Sequence, residues 1–314
     1  MSALTSGVGG DRLRLFCMSI TPFAADGSID EEGLRTHLRR LVASDTGIYL
    51  GSGGAGEGHV LTVDELRLVY RIGVDEAKGR VPLYANPRES RSAAAMYEVA
   101  RAAVDAGVDV VQIYQVDAGH GMIPTLREQE AYFNALLEKI NHPVAISIHA
   151  YAGYAAPVGL MSLLCERFPQ IEAVNVMGPP NSYFLALRDA LPGSVRMYTG
   201  VTNLVQLLAL GAAGALLAEN NIIPETCNAI LRAWESRDLE ALGTAMSTVQ
   251  RFTTAVSPWA PSTARWAKTA MKVLGLPAGN GVLRAPYLLP TEEDQKRMAA
   301  DIRALHIPEL QRVA

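Results

Sequence analysis

Residues 108–178 contain three short apolar runs: VDVVQIYQV (108–116), VAISIHAYA (144–152) and AVNVMG (173–178). Stretches with helical spacing, Leu126–Ile140 and Val158–Phe168, separate them. Each run is rich in Val, Ile or Ala and bounded by polar residues or Gly, the pattern of a strand buried on both faces. Buried strands alternating with amphipathic helices make parallel βαβ units. The pattern extends in both directions. Upstream lie LFCMSITPF (15–23), GIYLGSGG (47–54) and VPLYANP (81–87), and downstream lie RMYTGV (196–201) and GALLAEN (214–220). Helices are predicted over Asp30–Ala43, Thr62–Lys78 and Ser92–Ala106, and Thr62 with Glu65 three residues on has the capping-box pattern.

Eight such runs predict a parallel sheet closed into a (β/α)₈ barrel. The rival, an open doubly wound sheet, lacks a G-x-G-x-x-G fingerprint after an early strand. Beyond the eighth run the pattern changes. Pro224–Leu274 reads as two or three helices without a strand, and another helix follows Thr291. No low-complexity linker intervenes. The predicted organisation is a barrel over 1–223 and a C-terminal helical extension over 224–314, packed as one folded unit.

Of the 314 residues, 49% are hydrophobic and 19% charged, enough for one large core. The net charge of −4 comes from interspersed residues with no basic stripe, so no nucleic-acid footprint or membrane-surface anchor is expected. The start, MSALTSGVGGDRLRLF (1–16), lacks a basic region followed by an apolar run and predicts no secretory signal. The apolar stretch Leu204–Ala218 is too short and interrupted to span a membrane. A cytoplasmic protein is expected. Cys17, Cys165 and Cys227 are widely spaced in apolar sequence and read as buried free thiols.

The segments TPFAADGSIDEEGL (21–34), GE within GSGGAGEGHVLTVDE (51–65), TGVTN (199–203), GAAGALLAENNIIPE (211–225) and LGLPAGNGVLRAPYLLPTEED (274–294), in that order, resemble the dihydrodipicolinate synthase / N-acetylneuraminate lyase family. The resemblance covers about Leu15 to Leu305. It implies a (β/α)₈ barrel with C-terminal helices, a homotetramer or a homodimer of its tight pair, and lyase chemistry on 2-oxo acids through a lysine Schiff base. It also implies where the family's working groups fall. The sixth-strand lysine falls on Asn175, the strand-five tyrosine on Ser147, and the carboxylate arginine on Ala152. The paired threonines fall on Gly54 and Ala55, and the strand-four tyrosine pair on His120 and Gly121. Glu57 keeps the family's residue at a strand–helix turn. An amide cannot form an imine, and the five lysines, Lys78, Lys139, Lys268, Lys272 and Lys296, all read as helical.

Barrel enzymes place their chemistry on the loops after the strands. Those ends here offer Thr21, Glu57 with His59, Asn86 with Arg88, His120, His149, Asn175, Thr202, and Glu219 with Asn221. Arg88 could hold a substrate carboxylate with its fork of donors, or be a surface arginine. His149 could be a general base in place of the lost groups, or a hydrogen-bonded structural histidine. His120, flanked by glycines, could serve a closing loop as acid or base, or sit exposed at its tip. Asn175 could stabilise an oxyanion or fill the vacated space. Tyr151 and Tyr154 read as packing residues that could also supply a phenol. A metal site from His59, His120, His149, Glu57 and Glu219 has no supporting spacing, so neither metal nor cofactor is expected. GSGGAGEG lacks the Lys-Ser/Thr of a P-loop. The expectation is therefore a lyase- or hydratase-type enzyme on a small oxo- or hydroxy-carboxylate. Its site is drawn from His149, His120, Asn175 and Ser147, with Arg88, Gly54, Ala55, Thr202 and Asn221 binding substrate. The alternative is a non-catalytic carboxylate-binding or regulatory homologue.

Overall fold

The structure is a computed structural model that describes residues 13–259 and 262–312. The reading of the amino-terminal start falls mostly on residues outside that range. Eight parallel strands close into a barrel in chain order, as the sequence predicts. They are β1 (Arg14–Met18), β2 (Gly47–Leu50), β3 (Leu83–Ala85), β4 (Val110–Tyr114), β5 (Val144–His149), β6 (Ile171–Met177), β7 (Arg196–Thr199) and β8 (Gly214–Leu217). The intervening helices are α1 (Glu31–Ala43), α2 (Val63–Ala77), α3 (Ala93–Ala106), α4 (Leu126–Leu137), α5 (Val158–Arg167), α6 (Asn181–Ala190) and α7 (Leu204–Ala209). The C-terminal part is helical: α8 (Pro224–Ser236), α9 (Leu239–Val256), α10 (Thr263–Val273), α11 (Glu292–Ala304) and α12 (Pro308–Gln311).

Most strands are shorter than the apolar runs that announced them, because the ends of those runs leave the ladder to form loops. After β2 the chain turns at Gly51, whose φ of 76° suits a residue without a Cβ. Helix starts follow local chemistry. Thr62 and Glu65 form the anticipated capping box at α2, and Thr125 with Glu128 forms another at α4. Helix α4 ends at Leu137, short of the expected Ile140. The three cysteines are free and buried.

The described residues fall into two compact units, one of Tyr84–Leu216 with Arg14, the other of Leu15–Leu83 with the described residues from Leu217 onward. In the first, Ser147 on β5 pairs in register with Tyr114 on β4 and with Asn175 on β6. Side chains alternate along a strand, so Gln112 and Tyr114, Ser147 and His149, and Ala173 and Asn175 share a face. Asn175 Nδ2 donates to Gln112 Oε1 at 2.5 Å. Strands β4 and β6 are not neighbours, so this bond crosses the barrel interior and fixes the shared face as the inner one. In the second unit, Asn221 ties the chain after β8 to β1: its Nδ2 donates to the Met18 carbonyl at 2.9 Å, and its Oδ1 accepts from Ile20 N at 3.0 Å. Among the described residues no helix is long and apolar enough to cross a membrane.

Candidate active site

In the first unit, polar side chains gather where β3 to β6 end. Asn86 Oδ1 accepts from Gln112 Nε2 and from the Tyr114 hydroxyl, both at 2.6 Å, and Gln112 Oε1 accepts from Asn175 Nδ2. The result is a chain of uncharged groups, Tyr114–Asn86–Gln112–Asn175, with Ser147 at the same level of the barrel. All five residues are buried, Asn175 completely. Amides and hydroxyls can be buried at modest cost when they satisfy one another, whereas an ammonium group at the Asn175 position would need a fixed counter-charge.

His149 closes β5. Its Nδ1 accepts from Tyr151 N at 3.2 Å, leaving Nε2 to carry the proton of the neutral ring. The ring lies edge-on to Tyr114, with centroids 6.2 Å apart, and under Tyr151 at 4.4 Å. Burial pulls its pKa down to about 4, so the imidazole is neutral at pH 7. The loop that follows is held from beneath. Gln115 Nε2 donates to the Tyr154 carbonyl, Ala156 N donates to Gln115 Oε1 at 3.3 Å, and the Tyr154 hydroxyl donates to the Val116 carbonyl at 3.0 Å. Tyr154 is thus a packing and anchoring residue, while Tyr151 is 78% exposed.

The remaining candidates of this unit are less gathered. Arg88 is half-buried in the loop after β3, two residues from Asn86. His120 is exposed at the tip of a short turn with φ 56°. Thr202 is exposed after β7.

In the second unit Gly54 is exposed, whereas Ala55 is buried. Asn221 has a scaffold role. Besides its bonds to β1 it donates to the Ala218 carbonyl at 2.8 Å and accepts from His37 Nε2 at 3.0 Å, which engages both amide hydrogens and the oxygen. A substrate contact by its side chain would need one of these bonds to break. Glu57 and Lys268 form a buried ion pair, each about 1% exposed. The Lys268 ammonium also donates to the Val282 carbonyl at 2.9 Å and lies 4.0 Å from the centroid of the Phe23 ring. Burial lowers its pKa to about 8, against the opposing pull of Glu57. Of the other lysines, Lys272 and Lys296 lie on α10 and α11, and Lys78 and Lys139 in turns just past helix ends, a small correction to the expectation that all five are helical. No lysine stands on a strand. Among the described residues, no group of three His, Cys, Asp or Glu is placed to hold a metal ion.

Two members of the polar chain escaped the sequence reading, Gln112 and Tyr114, and Asn86 was noted without a role. The signal was there: in VVQIY (110–114) Gln112 and Tyr114 stand two positions apart in an apolar strand, which places them together on one face.

Residues 11–305 match the model of the dihydrodipicolinate synthetase family. The chain is 28% identical over 228 residues to the 4-hydroxy-tetrahydrodipicolinate synthase of Methanopyrus kandleri, covering 70% of this chain and 73% of that one. It is 26% identical over 300 residues to a Bradyrhizobium protein named "Probable 5-dehydro-4-deoxyglucarate dehydratase", covering 93% and 92%. Its fold matches YagE, a prophage protein of the dihydrodipicolinic acid synthase family from E. coli K12 solved in complex with pyruvate. There the TM-score is 0.85 at 18% identity, over 94% of this chain and 98% of that one. The chain therefore belongs to the dihydrodipicolinate synthetase family, and the reading of an enzyme of the lyase class holds with it.

Proposed function

We propose that this protein is an aldolase- or hydro-lyase-type enzyme on a small oxo- or hydroxy-carboxylate and that it works without a Schiff base. The observation that carries the reading is the environment of Asn175. The position matched to the family's imine-forming lysine holds an amide hydrogen-bonded across the barrel to Gln112, and no lysine stands on a strand. The relatives named for a synthase and a dehydratase, and the pyruvate in the YagE complex, support a carboxylate substrate.

Without an imine, a substrate carbonyl is activated by donors aimed at the oxygen where negative charge develops. His149 suits this as a neutral N–H donor through Nε2, a different task from the general base first expected of it, because its ring is neutral at pH 7 and its Nδ1 is engaged. Ser147 and Asn175 complete the polar wall, and Arg88 anchors the carboxylate. His120, exposed at its loop tip, could serve only on closure. Self-association into a homodimer or homotetramer fits the exposed Met122, Ile123, Leu126 and Tyr151 of this unit.

The test is borohydride trapping with pyruvate, read by intact mass. We expect no adduct on folded protein, together with turnover of a 2-oxo or hydroxy acid that His149→Ala abolishes. An adduct would restore imine chemistry and end this reading. One observation favours a second reading, a carboxylate-binding homologue without turnover: the polar chain with Ser147 contains no carboxylate or ammonium group. Saturable binding with no turnover across a panel of 2-oxo and hydroxy acids would select it.

A further inference from the structure

We propose that Asn86 is the substrate-anchoring donor of this site, its Nδ2 group held ready for an anionic oxygen by Tyr114 and Gln112. The proposal rests on the carboxylate reading above and adds a residue and a contact to it. Asn86 sits just past β3, is 2% exposed, and has an amide whose orientation is set from two sides. Both Tyr114 and Gln112 donate to the same oxygen, Oδ1, at 2.6 Å. With Oδ1 so engaged, the amide plane is fixed and Nδ2 must face the other way. No described residue accepts from Nδ2, and it is not among the polar atoms sealed from solvent without a partner, so it opens on reachable space. A buried amide with two unused N–H bonds carries a desolvation cost unless a ligand or water meets it.

The neighbours agree with a neutral anion-binding site. Ser147, 1% exposed, stands in register with Tyr114 and Asn175. It shares the inner face with His149, which presents Nε2. Tyr114 links the two halves, bonded to Asn86 and edge-on to His149. An oxygen bound here meets oriented dipoles, and Arg88, two residues along, supplies the nearest formal positive charge in the sequence. The ligand class is a planar oxyanion on a compact chain, the carboxylate or carbonyl oxygen of a 2-oxo acid.

The sharp variant is Asn86→Asp. It keeps an acceptor for both Tyr114 and Gln112, so the buried donors stay satisfied, but it replaces the N–H donor by a carboxylate oxygen. Asn86→Ala would orphan both donors and confuse folding with binding. The probe is pyruvate, titrated by ligand-observed NMR at pH 7 against wild type, Asn86→Asp and Arg88→Ala, with thermal melts alongside. We expect Asn86→Asp to fold with a melt lowered by its buried carboxylate and to lose affinity for pyruvate by about 10-fold or more, as a lost donor opposed by a new negative charge requires. If Asn86→Asp binds pyruvate like wild type, the assignment of Asn86 is overturned while the carboxylate reading stands. If wild-type protein binds no pyruvate at 10-millimolar probe (roughly the weak end of specific affinity), both are overturned. If Asn86→Asp fails to fold, Tyr114→Phe with Gln112→Met decides. These leave Nδ2 in place but unlock the amide, and unchanged affinity in the pair would overturn the proposed preorganisation.

Discussion

The two compact units bury polar groups in opposite ways. The unit built on β4 to β7 buries amides and hydroxyls joined in an uncharged chain, Tyr114–Asn86–Gln112–Asn175. The unit holding β1, β2 and the C-terminal helices buries full charges, the Lys268 ammonium against the Glu57 carboxylate. A buried ion pair is only as good as its fixed geometry, and removing one partner leaves a charge with nothing to face. A neutral chain loses one modest bond at a time. The first arrangement suits a surface that must receive a ligand, because its groups can exchange a partner for a substrate oxygen. The second suits a joint: Glu57 sits in a left-handed turn at φ 52° that closes the glycine-rich loop after β2, and Lys268 holds that turn from α10.

The sharpest way to break this contrast is Lys268→Met. It removes the ammonium that lies over Phe23 and strands the Glu57 carboxylate, and should cost about 3–5 kcal/mol in urea unfolding. Adding Glu57→Gln should return a large part of that loss. A single variant within 1 kcal/mol of wild type (roughly the value of a surface pair) would show that the pair is no joint at all.

Part of this contrast was visible in the sequence. The barrel was legible because buried parallel strands give apolar runs at regular intervals, whereas the resemblance to the family singled out Ser147 and Asn175, and strand alternation put His149 on the face of Ser147. Lys268 was hidden by its setting. A lysine on a helix reads as solvated, although Ala264, Lys268 and Met271 stand at helical spacing on one face and Lys268 therefore lies in the apolar stripe. Its partner lies 211 residues earlier, beyond any local pattern. Tyr114 was hidden for a related reason: a phenol in an apolar strand reads as packing until its hydroxyl is seen to have a partner. Asn221 looked like a loop ligand, and only tertiary structure reveals His37 and β1 on its amide.

The second test compares charge avoidance within the unit that tolerates charge. His37 is fully buried, and burial pulls its pKa from 6.5 to about 3. The folded value lies below the unfolded one, so its contribution to stability is complete above pH 6.5 and falls away as pH drops toward 3. Roughly 3 kcal/mol should be lost between pH 6.5 and 4 from this ring. His149, lowered to about 4, acts in the same direction over the same window. His37→Gln keeps an amide donor for Asn221 without the titration. Its urea midpoint should fall less steeply with acid than that of wild type, and parallel curves for the two proteins would remove His37 from the explanation.

Within the neutral chain, Gln112→Met cuts the middle link at nearly constant volume. It removes the Oε1 that accepts from Asn175 and one donor to Asn86 together, and about 1–3 kcal/mol should go with them. The effect should be independent of pH between 5 and 8, because no group in the chain carries charge there. A pH-dependent loss over that range would mean that an ionised group had been hidden in the chain, and the contrast between the units would fail.

The smallest expected effect isolates the end of the chain. Tyr114→Phe removes one hydroxyl and leaves the ring against His149, and the bond to Asn86 Oδ1 is lost. That oxygen still accepts from Gln112, so no buried acceptor is orphaned, and stability should fall by about 0.5–1.5 kcal/mol. The two links differ in what they control. Gln112 bonds to Asn86 and Asn175 alike, whereas Tyr114 bonds to Asn86. A double-mutant cycle with Asn175→Ala therefore separates them. Tyr114→Phe should couple to it by less than Gln112→Met does, since three bonds stand between Tyr114 and Asn175 along the chain and one between Gln112 and Asn175. Equal coupling would mean that the four side chains respond as one rigid block, and that a ligand on Asn86 would be felt as far away as Asn175.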